Sequence, residues 1–395
     1  MKPGSIIMVI TLLLMFVLFM IIEPRTTLEA SRTGVNLWFE TVLPALFPFF
    51  VACDLMMGLG IVKFLGTLLE PIMRPIFRLP GSASFVVAMG FTSGFPVGAV
   101  LTRELYEQKE LTGPEAERLV CFTNNASPLF ILGVVGVGLF HSAAIGYLLA
   151  FSHYLSNFLV GVISGRLPKA NGNQLNKPRF TINEALAQLA STKQKSIGLL
   201  LGEAIKKSLG NIMAVGGFIV VFSVVTSALS TWGATDLISG IFSLAGISYT
   251  SGQGLSIGLF EMTLGSKALA LSTGTNLEKI LAVSATLAWS GFSIQAQIMS
   301  IVGDAPIRYA YYIKNRLLQA VLSVIISYGS YVLVFEQGII DPVFQSLNKS
   351  PVIPQTSSFI EAALLGLLFA ILMLTALSLA GFVYSQASRS SWNSL

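Results

Sequence analysis

The stretch Gly90-Phe91-Thr92-Ser93-Gly94-Phe95-Pro96-Val97-Gly98 lies inside an apolar run from Phe85 to Leu101. Three glycines, a proline and two hydroxyls in nine residues do not suit a plain membrane-crossing helix. In hydrocarbon each unpaired backbone group costs several kcal/mol. Irregular backbone therefore survives only where protein buries it or where it lines a cavity. The stretch reads as the tip of a re-entrant helical hairpin. A second interruption is Gly258-Leu259-Phe260-Glu261-Met262-Thr263-Leu264-Gly265-Ser266-Lys267. Two interrupted apolar segments in corresponding halves of a chain point to a transporter binding site near the bilayer midplane.

Composition agrees. Of 395 residues 53% are hydrophobic and 11% charged, against about 25% charged in soluble domains, and the mean hydropathy is +0.75. The expectation is an all-α polytopic membrane protein with about eight full spans. The net charge of +5 reads as loop asymmetry and not as a nucleic-acid footprint. Cys53 and Cys121 sit in apolar surroundings and offer neither a disulfide framework nor metal-site spacing. No metal or cofactor is expected. There is no Walker lysine motif, GxSxG or HExxH, so an enzyme is not expected either.

Along the chain, residues 1–36 hold a first membrane helix from Ser5 to Ile22 and a short polar loop. A first repeat, 37–166, contains a proline-kinked span to Gly60 with Asp54, then an interfacial helix at 61–80, then the hairpin at 82–109. A helix opened by the capping-box pattern Thr112-Gly113-Pro114-Glu115 follows. It breaks at Thr123-Asn124-Asn125-Ala126-Ser127-Pro128, and a full span from His141 to Gly165 closes the repeat. Residues 167–196 form a basic linker, in which Thr181-Ile182-Asn183-Glu184 opens an amphipathic helix toward Leu209. The second repeat, 197–335, runs through a span from Asn211 to Trp232, an interfacial segment at 233–249 and a hairpin at 250–274. A helix opening at Thr275 is interrupted near Ser290, and a span covers 310–335. Residues 336–395 carry a loop and a last span from Phe359 to Tyr384.

Each unit crosses three times, because its hairpin returns to its own side, so the second is expected to be inverted relative to the first. With the N-terminus inside, the cytoplasmic face collects Lys63, Arg74, Arg78, Arg103, Arg118, the linker, Lys206, Lys207, Arg308, Lys314 and Arg316. The outer face keeps Arg25, Arg32, Lys279 and Lys349.

Glu261 and Lys267 are the charged candidates for a site, since a charge at the bilayer centre costs roughly 2.5–3.5 kcal/mol and usually pairs or meets substrate. They contact a ligand, or pair with each other, or Lys267 reaches outward. Thr92 and Ser93 are the polar counterparts in the first hairpin, and Thr263 and Ser266 flank the second tip. Asn124, Asn125 and Ser127 in the first helix break, and Ser290, Ser293 and Gln295 in the second, either hydrogen-bond an organic ligand or satisfy freed backbone groups. Asp54 serves ion coupling or faces a neighbouring helix. His141 and His153 read as packing or loop residues.

Trp38-Phe39-Glu40 through Leu43-Pro44-Ala45-Leu46-Phe47-Pro48, Arg74-Pro75-Ile76-Phe77-Arg78-Leu79-Pro80-Gly81, the Gly90–Gly98 stretch and Asn124-Asn125-Ala126-Ser127-Pro128 together resemble the YlbJ (SpoVV) family of sporulation membrane proteins. That family falls in the Gate, or nucleoside recognition, group. The group looks related to concentrative nucleoside transporters and to the gate region of ferrous-iron transporters. The nucleoside transporters' acidic and amide ligand pattern is matched only in part, by Glu261. The resemblance implies a role in endospore formation, in the outer forespore membrane, moving dipicolinic acid from mother cell toward forespore. It makes Lys267 a counter-charge for that dianion.

The leading expectation is a bilayer-embedded carrier of a small organic anion. A nucleoside or metal-ion carrier of the same fold and a non-transporting sporulation scaffold stand as alternatives. Relatives of this architecture often associate, which leaves a homo-oligomer open.

Overall fold

The computed structural model describes residues 3–166 and 196–333. Among them every regular element is helical. α1 (Pro3–Ile22) carries apolar side chains that are exposed along most of its length, as suits a helix bathed in lipid. Its Phe19 is buried edge-on against Trp232, with ring centroids 5.3 Å apart. Residues 23–36 are not the expected polar loop. They form α2 (Pro24–Leu37), turned 105° from α1. Pro24 sits at its start, where a missing N–H costs nothing. Its Gly34 lies so close to α9 (Ile197–Thr231) that an added Cβ would come within 2.9 Å of the Val220 Cα. The mixed charges that suggest a loop occupy the solvent side of this helix, and only packing on α9 reveals the other side.

A π-helical segment, Trp38–Val42, leads into α3 (Leu43–Gly58), which contains Pro48. α4 (Ile61–Phe77) is a helix where the sequence suggests an interfacial one, with Glu70 accepting from Arg74 and from the Gly81 amide. α5 (Ala83–Ser93) and α6 (Val97–Glu107) make the first hairpin about Gly94-Phe95-Pro96. α7 (Gly113–Thr123) begins on the capping box, with the Thr112 amide and hydroxyl donating to Glu115 at 2.8 and 2.7 Å. Non-helical residues 124–127 follow, then a π-helical segment Leu129–Leu139, then α8 (Ala143–Arg166).

In the second half the amphipathic stretch toward Leu209 and the span after Asn211 are one continuous helix, the 35-residue α9. The basic linker and the Thr181 capping pattern lie outside the described residues, as does the last expected span. α10 (Ala234–Leu244) is a short helix within the expected segment 233–249. α11 (Tyr249–Phe260) and α12 (Met262–Ala270) form the second hairpin. α13 (Asn276–Trp289) and α14 (Gly291–Ile301) flank a break at Ser290, and α15 (Tyr309–Tyr331) closes the unit.

Among the described residues α8 and α9 are each long and apolar enough to cross a membrane, and the bent pair α1–α2 meets the same test together. The chain is thus an all-helical polytopic membrane protein, and its two halves present the same order of elements. They share a core. α15 packs on both α8 and α13, α7 packs on α8, and one buried cluster runs from Cys121 and Leu149 to Met262, Leu287 and Tyr312. Both cysteines are buried free thiols.

Candidate functional site

The first hairpin clasps the end of α7. At Gly98 an added Cβ would stand 2.3 Å from the Thr123 carbonyl oxygen, so no side chain fits there. This approach sets the broken segment against the hairpin. Asn124 Oδ1 accepts at 3.0 Å from the Ala99 N–H in the first turn of α6, an amide shared with the Pro96 carbonyl at 2.9 Å. Its Nδ2 donates to the Val120 carbonyl at 2.8 Å. Asn125 Nδ2 donates to the Gly90 carbonyl at 3.3 Å, and its Oδ1 accepts from Asn157 of α8. Ser127 Oγ accepts from the Phe130 N–H at 3.2 Å. Thr92 Oγ1 donates to the Ala88 carbonyl at 2.9 Å. Four of the expected ligand residues therefore satisfy backbone freed by the break or close their own helix. Ser93 differs, because its hydroxyl is buried with no partner among the described residues.

α8 holds the break from the other side. His153 Nε2 accepts from the Ala126 N–H at 3.2 Å, and the Tyr154 hydroxyl donates to the Ala126 carbonyl at 2.8 Å. His153 is thus more than packing, since it replaces a helix partner that Ala126 lacks.

The second unit is built differently. Glu261, buried at the hairpin tip, accepts from the Leu264 N–H at 2.6 Å and caps α12. Thr263 is half-buried beside it, and the Ser266 hydroxyl is buried without a partner among the described residues. Lys267 is exposed, and among the described residues no ion pair joins it to Glu261. A helix turn and a half separates the two, which points them to different surroundings. Ser290 sits at φ +67° and donates to the Trp289 carbonyl at 2.6 Å. Trp289 Nε1 donates to the Leu259 carbonyl at 3.0 Å, fastening break to hairpin. Gln295 donates to the Trp289 carbonyl at 3.1 Å and accepts from the Tyr309 hydroxyl at 2.9 Å, and Ser293 is buried nearby.

The two breaks meet at Arg316. Placed by its sequence position with the cytoplasmic cations, it lies instead seven residues inside α15 and is wholly buried. Its Nη1 donates to the Asn124 carbonyl at 3.0 Å and toward the Ala288 carbonyl at 3.5 Å. Nη2 donates to the Cys121 carbonyl at 2.7 Å and to Asn157 Oδ1 at 3.1 Å. The guanidinium also stands 5.5 Å from the Tyr312 ring centroid. Those carbonyls are the negative ends of α7 and α13, which favour a cation. No carboxylate pairs with it among the described residues. The signal was available in the sequence. Tyr312, Asn315, Arg316, Gln319, Ser323 and Ser327 recur every three or four residues, the spacing of one helical face, and all six are buried.

Other charges form ion pairs away from Arg316. Asp54 accepts from Lys207 Nζ at 3.0 Å and from Ser208 at 3.3 Å, and Lys207 also meets Glu104. Asp54 therefore faces a neighbouring helix. Arg308, at the start of α15, bonds Glu117 through Nη2 at 2.6 Å. Those hydrogen bonds, and then the carboxylate charge, hold the Arg308 guanidinium above its ordinary pKa.

The Gate model, described as nucleoside recognition, matches residues 39–143. The chain is 40% identical over 346 residues to the sporulation integral membrane protein YlbJ of Bacillus subtilis (strain 168), across 83% of this chain and 84% of that protein. The chain belongs to the YlbJ family. A more distant similarity, 31% over 143 residues, joins it to an uncharacterized protein of Alkalihalophilus pseudofirmus, covering 35% of this chain and 30% of that one. As a YlbJ-family protein it is a sporulation integral membrane protein. The Gate match takes in the first hairpin and the Asn124–Ser127 break. His153, Asn157 and Arg316, which hold that break, lie beyond it.

Proposed function

We propose that this YlbJ-family protein is a carrier, and not an enzyme, that moves a small organic anion across a membrane during endospore formation. Dipicolinic acid, moved from mother cell toward forespore through the outer forespore membrane, is the proposed substrate. The observation behind the charge class is Arg316. A buried guanidinium between two helix breaks, bonded to carbonyls and an amide and, among the described residues, to no carboxylate, leaves a net positive charge in a membrane interior. Such charges are costly and are retained where they serve a substrate or ion path. The paired hairpins and breaks supply the irregular backbone that carriers place at their sites.

Saturable uptake of radiolabelled dipicolinate into proteoliposomes, above that of empty liposomes, is the expected result. Absence of uptake from folded protein under any imposed ion gradient overturns the reading. The Gate description favours one second reading, a nucleoside carrier. Inhibition by nucleosides, with none by pyridine dicarboxylates, selects it.

A further inference from the structure

Three buried side chains around the meeting point of the breaks keep polar atoms unused. Arg316 Nε, His153 Nδ1 and both amide atoms of Gln319 have no hydrogen-bond partner among the described residues, and all three side chains are almost fully buried. Buried polar groups are nearly always paired, so these three residues ask for a partner. His153 Nε2 already accepts from the Ala126 amide, which places the proton of the neutral ring on Nδ1. Arg316 Nε is an obligate donor, and the Gln319 amide contributes two more N–H groups against one acceptor oxygen. The unused set is thus rich in donors and carries a positive charge. What completes it is a ligand rich in acceptors and negatively charged.

The same broken segment and the same helix face relate the three residues. Arg316 and His153 grip the same broken segment, at Asn124 and at Ala126 two residues on. Gln319 lies three residues beyond Arg316 on the same buried face of α15, about 4.5 Å along the helix axis.

We propose that Arg316, His153 and Gln319 form the recognition set of the carrier. One carboxylate of the substrate seats on Arg316 Nε–H and His153 Nδ1–H, and the Gln319 amide reads a second polar group about 5 Å away. This rests on the anion-carrier reading and narrows it. The site selects anions with two polar groups at that separation over simple monocarboxylates. Gln319 is then a specificity residue that the fold itself does not need. Replacing it with methionine, of similar length but without orphan polar atoms, removes a buried unsatisfied amide and leaves the protein as stable or more so.

The test is equilibrium binding of pyridine-2,6-dicarboxylate and of picolinate, its one-carboxylate analogue, to the full-length protein in lipid nanodiscs. Thermal unfolding is followed in parallel. The wild type is expected to bind the dicarboxylate at least tenfold more tightly, about 1.4 kcal/mol. Gln319→Met is expected to lose that preference, bind picolinate as before and unfold at the same or a higher temperature. A variant that keeps the preference overturns the role of Gln319 and leaves the carrier standing. A variant that fails to fold also overturns it, by showing that the amide is structural. A folded wild type that binds neither compound overturns the anion-carrier reading and this inference with it.

Discussion

The two hairpin-and-break units interrupt a membrane helix by different physical means. In the first, the tip is Gly94-Phe95-Pro96 and the break extends over residues 124–127. Its backbone is satisfied from elsewhere in the molecule, by His153 and Tyr154 of α8 at Ala126 and by Arg316 at Asn124, while the Asn124 and Asn125 side chains bond Ala99 and Gly90 of the hairpin and Asn157 of α8. In the second, the interruptions are shorter. Glu261 caps the helix that follows it, and Ser290 and Gly291 turn the chain through two successive left-handed residues. The second unit carries most of its solution within a few residues of the break, whereas the first borrows it from tertiary partners. Arg316 belongs to both, since it bonds the ends of α7 and α13.

Changes that break this comparison range from large to small. Arg316→Met strips partners from carbonyls of both units. It is expected to cost about 3 kcal/mol or more, read as a large fall in the thermal midpoint in detergent. Asn157→Leu strikes the first unit alone, by removing the acceptor for Arg316 and the donor to Asn125. A loss of about 2 kcal/mol is expected, together with faster hydrogen exchange confined to residues around 124–127. Glu261→Gln, the matching blow to the second unit, keeps a side-chain oxygen that can cap α12 and costs at most about 1 kcal/mol. Equal effects of the Asn157 and Glu261 changes would erase the distinction between tertiary and local support. Ser290→Gly sharpens it with the opposite sign. Relief of a left-handed residue is expected to stabilise by about 1 kcal/mol, as a raised unfolding temperature. The smallest effect is assigned to Lys267→Ala. The side chain is exposed and unpaired with Glu261, so dipicolinate uptake is expected to match the wild type, and its abolition would restore Lys267 as the counter-charge.

Much of the architecture was legible because lipid makes local rules strict. Glycine and proline in an apolar run force a break, so both hairpins, both interrupted helices and the Thr112 cap could be placed from the chain alone. The α2 helix was missed, since its polar residues have the composition of a loop and only contact with α9 shows why they are helical. The candidate site was legible as a place more than as a set of roles. Asn124, Asn125, Ser127 and Glu261 stand at the breaks as expected, but mostly as partners of backbone.

What the sequence determined by itself is the class of molecule and the positions where its helices must stop. Hydropathy, glycine, proline and capping residues act over a few neighbours, and those interactions are written in order along the chain. Only the tertiary structure decided which positive charge lies at the centre. Lys267 and Arg316 both sit within apolar segments, and the polar stripe from Tyr312 to Ser327 marks the helix face that Arg316 shares without saying what that face meets. Arg316 is buried because Asn124 and Cys121 come to it from nearly 200 residues away, at separations of 192 and 195 positions. A buried cation is tolerated only where acceptors converge, and convergence of that kind is a property of the fold.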